Sequence, residues 1–124
     1  MADQAGKTNE ELSGIRRRRV PRRVFEARIG LLIGGRYSIG RSFEIGEGGM
    51  LITCEHKLSA EQRLVITFRI PGAGQTVVRG IVRYCQPNGT RYGVEFLNLD
   101  FNMKRAIRTF VASKTADEAI LKAV

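Results

Sequence analysis

The chain has 124 residues, 43% hydrophobic and 27% charged, a balance that excludes a disordered polymer and suits one domain with a modest core. Its formal charge is +9, and seven arginines fall between Arg16 and Arg28, so its chemistry is directed at anions. The longest apolar runs, such as Ile29 to Gly35, are too short to span a bilayer, and the opening MADQAGKTNEELSG lacks the apolar centre of a secretory signal.

Residues 1–15 are polar and without periodic pattern, and read as a flexible leader. Residues 16–23, RRRRVPRR, hold six arginines and no acid. Pro21 would break a helix and pushes Val20 toward extended geometry. The stretch therefore reads as an extended arm of guanidinium groups, whose planar forks match phosphate oxygens in pairs and stack on flat rings.

From Val24 the texture changes to short strand-like runs divided by glycine. Val24 to Ile33 is the first, and Gly34-Gly35 is a hairpin signal. Tyr37 to Ile45 alternates loosely, which places Tyr37, Ile39, Phe43 and Ile45 on one face. The turn Gly46 to Gly49 follows, then strand-like runs at Met50–Cys54, Leu64–Ile70, Gln75–Tyr84 and Tyr92–Leu97. Many short strands at this spacing predict an antiparallel sandwich or barrel.

The period then switches. Met103, Ala106, Ile107, Phe110 and Val111 recur at helical spacing, with Asp100 or Asn102 as a cap, so a helix covers one end of the barrel. Thr115 to Glu118 has the spacing of a capping box and predicts a second short helix, making residues 114–124 a helical tail. Phe25, Phe43, Phe68, Phe96 and Phe110 are predicted core, and so are the two cysteines, Cys54 and Cys85.

Catalysis finds little support. His56 is the only histidine and lies in a polar connection, so neither a nucleophile–base pair nor a zinc site is in sight. The Gly46–Gly49 turn lacks the Lys-Ser/Thr ending of a phosphate loop. Binding is the better class.

Taken together, the arginine arm, the glycine turn and the late strands VVRGIVRY and YGVEF resemble the PilZ family, small bacterial barrels that receive cyclic di-GMP. The resemblance covers about residues 16–113. The family's Arg-x-x-x-Arg motif reads as Arg18 to Arg22, with Arg17 as an extra arginine, or in another register as Arg19 to Arg23. Its Asp/Asn-x-Ser-x-x-Gly motif is met by Glu44-Ile45-Gly46-Glu47-Gly48-Gly49.

The resemblance implies a six-stranded antiparallel barrel, residues 24–113, with a C-terminal helix and no resident cofactor. Cyclic di-GMP would be held by Arg17, Arg18, Arg19, Arg22, Arg23, Glu44, Gly46, Gly48 and Gly49. Ordering of the arm would then alter contacts with a downstream protein in the bacterial cytoplasm, in processes such as motility or biofilm formation. Two departures matter: Glu44 adds a methylene to the family's acidic position, and Gly46 supplies no hydroxyl. A hydrogen bond is worth about 1 kcal/mol and charge-assisted arginine contacts more, so weakened binding is expected before abolished binding.

The alternative is a degenerate PilZ adaptor that ignores cyclic di-GMP and works through protein contacts. Nucleic-acid binding is disfavoured, because the aromatic pattern of single-strand binders is missing. Membrane attachment has no amphipathic basic helix to support it. Monomer and homodimer are both compatible with the sequence.

Overall fold

A computed structural model describes residues 21–123. Six strands run in chain order: β1 (Arg22–Ile33), β2 (Arg36–Gly46), β3 (Gly49–Cys54), β4 (Arg63–Ile70), β5 (Gly74–Cys85) and β6 (Tyr92–Leu97). One helix follows, α1 (Phe101–Ala123). All neighbours are antiparallel, and the order β1-β2-β3-β6-β5-β4 closes into a barrel. The fold expected from the sequence is the fold observed.

The interior is built by alternation. On β4, Leu64, Ile66, Phe68 and Ile70 point inward and are buried, while Arg63 and Arg69 are exposed. Ile29, Leu31, Ile52, Val82 and Val94 fill the same core from the other strands. Phe25 meets Phe110 edge-on at 5.3 Å and Phe68 at 6.0 Å, so an aromatic cluster seats α1 on the barrel. Ile107 and Val111 complete that buried stripe, as the helical period predicted. Asp100 caps the helix by accepting a hydrogen bond from the Met103 amide at 2.7 Å.

Three β-bulges bend the barrel. On β1 an extra residue lies between Val24 and Ala27, and the backbone groups it frees are met by the fully buried Ser42. The Ser42 Oγ donates to the Phe25 carbonyl at 2.5 Å and accepts from the Ala27 amide at 3.2 Å. On β2 the extra residue is Phe43, between Ser42 and Glu44. On β5 it is Arg83, between Val82 and Tyr84. Gly34 and Gly35 close the β1–β2 hairpin with φ of 56° and 82°, the left-handed geometry of a tight two-residue turn.

Several sequence expectations are corrected. Strand β1 begins at Arg22, not Val24, so the last two arginines of the arm are part of the barrel. Tyr37 and Ile39 face outward while Ile45 is buried, because the bulge at Phe43 shifts the inside–outside phase halfway along β2. Phe43 is only half-buried and lies under the Arg91 guanidinium, 3.7 Å from the ring centroid. Cys85 is exposed and not a core thiol, while Cys54 is half-buried and packs against the margin of the core. No second helix starts at Thr115: α1 continues through it, since residues 101–123 contain neither Gly nor Pro and a capping pattern inside a helix has no chain end to cap.

Candidate functional site

Strand register brings the two halves of the sequence motif together. Arg22 stands directly opposite Gly46, Arg23 opposite Ile45 and Val24 opposite Glu44. The hairpin end formed here opens onto a cleft of about 920 Å³. Arg22, Glu44, Gly46, Gly48 and Gly49 line one side, and the opposite side comes from Arg83 to Cys85 of β5, Gln86 and Pro87 just after it, and Gly93 to Glu95 of β6. Arg17, Arg18 and Arg19 lie outside the described residues.

Arg22 reaches Glu44 at 3.6 Å, and both side chains are about two-fifths exposed (39% and 42%). Such a pair is worth little in water and yields readily to a stronger anion. Glu44 thus keeps a carboxylate at the cleft edge, but directs it at the arginine.

Arg23 points elsewhere. Successive side chains on a strand alternate in direction, so the neighbour of a cleft residue leaves the cleft. Its guanidinium lies 3.5 Å from the Phe110 ring centroid, and Nη1 donates to the Phe110 carbonyl at 2.9 Å. Its Nε is buried with no hydrogen-bond partner among the described residues. Arg23 is therefore a strut between β1 and α1 and does not line the cleft.

The turn between β2 and β3 is shaped by close approach. A Cβ on Gly49 would lie 2.2 Å from the Val94 carbonyl oxygen, so only glycine lets β3 sit this close to β6. A Cβ on Gly46 would lie 2.9 Å from the Pro21 carbonyl oxygen. Where the family has serine, the bare backbone here allows the arm's last residues to press against the turn. Gly48 has open space around it and is held by no such constraint.

Between these glycines, Glu47 accepts two hydrogen bonds from Arg108 of α1, both at 3.0 Å. Those bonds hold its carboxyl below the usual carboxylate range, against a smaller opposing effect of burial. The turn is thereby tied to the helix.

The far wall was not legible as a site. Arg83 is the bulged residue of β5; its Nε donates to Glu95 at 2.6 Å and its Nη1 to Glu61 at 3.1 and 3.2 Å. Tyr84 lays its ring over Gly93, where an added Cβ would come within 2.2 Å of the ring. The only sequence signal was an Arg-Tyr pair facing a glycine across two strands, and it becomes visible only once the β5–β6 register is known. Among the described charges of the cleft, Arg22 and Arg83 face Glu44 and Glu95. Two positive groups balance two negative ones, so strong attraction for a dianion requires further arginines.

A sequence model described as the PilZ domain matches residues 16–113. No curated protein matches. Among solved structures, the inhibitor of motility MotI from Bacillus subtilis is 14% identical with a TM-score of 0.69, over 79% of this chain and 51% of that one. YcgR from Escherichia coli, solved with c-di-GMP, is 19% identical with a TM-score of 0.70, over 87% of this chain and 51% of that one. The separate PilZ domain of YcgR, also with c-di-GMP, is 18% identical with a TM-score of 0.64, over 86% of this chain and 97% of that one. The chain thus spans about half the length of MotI and of full YcgR. No helix among the described residues is long and apolar enough to cross a membrane.

Proposed function

The chain belongs to the PilZ domain family, and from that premise we propose that it is a receptor for cyclic di-GMP, acting by binding and not by catalysis. The observation that supports this reading is the register pair Arg22–Gly46, which sets one arginine of the motif beside the glycine turn on one cleft edge. Cyclic di-GMP has two phosphates and two guanine faces. Arg22 and the arginines before it, Arg17 to Arg19, supply forked donors for the phosphates and flat cations for the bases. Glu44 offers an acceptor to a guanine edge once Arg22 turns to phosphate. The backbone at Gly48, with open space around it, lets the ligand approach closely.

The proposed relay rests on the charge of the arginine run. A run of like charges repels itself, and a dianion removes that repulsion. Ligand arrival then orders the arm against the barrel and presents a new surface to a downstream protein in the bacterial cytoplasm.

A second reading is favoured by one observation: Arg22 already has a carboxylate partner in Glu44. If that pair closes the cleft, the domain is an adaptor that ignores cyclic di-GMP. Calorimetric titration separates the two readings. The receptor reading expects micromolar or tighter binding of cyclic di-GMP, loss of it in Arg18→Ala with Arg22→Ala, and no binding of GTP. Absence of heat at high ligand in the intact protein would overturn it and leave the adaptor.

A further inference from the structure

The outward faces of β2, β1, β4 and β5 form a surface that the cleft does not use. The ladder sets Ile39 beside Gly30, Gly30 beside Thr67, and Thr67 beside Val77. The adjacent outward row runs Tyr37, Leu32, Val65, Arg79. Residues opposite one another in a ladder share a face, so the two rows make one continuous patch. Leu32 is 43% exposed, Tyr37 64%, Ile39 47% and Val77 60%. Single exposed apolar side chains are ordinary, but a contiguous group on one wall marks a site of contact.

Four arginines border the patch. Arg28 and Arg41 stand directly opposite each other at one edge, with Arg69 two residues along β4 from Thr67. Arg79 marks the opposite corner. All four are exposed, and among the described residues none is joined to a carboxylate. Strands β4 and β5 contain no Asp or Glu; β1 has Glu26 and β2 has Glu44, which is on Arg22. Like charges facing each other across a ladder are destabilising, so this border is costly until an anion meets it.

We propose that this wall is a docking surface for a partner protein whose contact segment combines aliphatic side chains with flanking carboxylates. The apolar centre with tyrosine, bordered by arginine, has the composition of a protein interface. The closed barrel offers no free edge, so the partner is held by side chains and not by strand addition. A second copy is a poor occupant, because a two-fold contact sets the same arginines against each other. Nucleic acid is a poor one too: the centre is aliphatic, with Tyr37 its lone aromatic ring, and offers no succession of stacking platforms. The wall shares no residue with the cleft, and on β2 about 16 Å separates Ile39 from Glu44. Its role therefore stands apart from the ligand reading.

The test places a photoreactive benzoylphenylalanine at Tyr37 of the full chain in its native cells, with the same group at Asn88 as control. The expected product is an adduct, specific to position 37, with an acidic and aliphatic segment of another protein. That protein, purified, should bind the unmodified chain, and Arg41→Glu with Arg69→Glu should weaken the complex at least tenfold. Ile39→Thr with Val77→Thr should also weaken it, which guards against misfolding in the charge-reversed variant. Cyclic di-GMP titration of both variants should match the unmodified chain, so loss of docking is read separately from loss of ligand binding. Adducts only with nucleic acid, lipid or a second copy, or none above the Asn88 control, would overturn the proposal.

Discussion

Two glycines one position apart in the same turn have opposite tolerances. At Gly49 a methyl group would collide with the Val94 carbonyl at 2.2 Å, a backbone atom that cannot swing away. Gly49→Ala should therefore destabilise the fold by about 2 kcal/mol through overpacking. Gly48 has nothing within 4 Å and no left-handed backbone, so Gly48→Ala should stay within about 0.5 kcal/mol. Urea unfolding of the two variants checks the contrast, and equal costs would refute it. The arginine pair gives a second contrast. Arg23→Ala removes a charged hydrogen bond and a cation–ring contact, an expected loss of about 1–2 kcal/mol, while cyclic di-GMP affinity should change less than about twofold. Arg23→Lys should not restore the stability, because an ammonium cannot lie flat on the ring and reach the carbonyl with the same fork. A strong affinity loss in Arg23→Ala would instead return it to the cleft. The sequence showed six arginines in a row of eight but not their division, although strand alternation already implies that Arg22 and Arg23 diverge.

At the scale of elements, helix α1 is tied to the barrel by Glu47–Arg108 at the turn and by Arg23–Phe110 at β1. The Glu47 carboxyl is held below its ordinary value of 4.5 chiefly by its bonds to Arg108. A depressed folded value means that the pair stabilises above the unfolded value and ceases to do so as pH falls through the folded one. Wild type should thus exceed Glu47→Gln in stability between about pH 5 and 8, with the gap closing in stronger acid and shrinking in high salt. Urea midpoints across pH test this, and a gap that persists in acid would show that packing, not charge, holds the turn. The helix was legible from its 3.6-residue period, and β4 from its strict alternation. Strand β2 was misread beyond Gly40 because one inserted residue, Phe43, changes phase without changing composition. The far wall of the cleft escaped for a related reason: Arg83 owes its position to a bulge, and bulges leave little trace in hydrophobic pattern.

For the whole molecule, closure is the weak step. Strands β1 and β4 pair only over Gly30–Leu32 with Val65–Thr67, whereas β4 and β5 pair without a break from Arg63 to Ile70. Amides bonded across the β1–β4 seam should exchange with solvent sooner than those between β4 and β5, as resolved by NMR. Equal protection would mean that the barrel opens only as a unit. The β1–β2 hairpin has a further consequence. Arg22 and Gly46 lie at one end of it and the Gly34–Gly35 turn at the other, about 35 Å away by strand rise. A bulky domain grafted between Gly34 and Gly35 would crowd the apolar wall beside Leu32 and Tyr37 and spare the cleft. The same domain grafted at Gly48, which lines the cleft with open space around it, would crowd the cleft and spare the wall. The point of attachment alone would then silence one surface at a time, and the same geography dictates where a fluorescent reporter can be placed without blocking either surface.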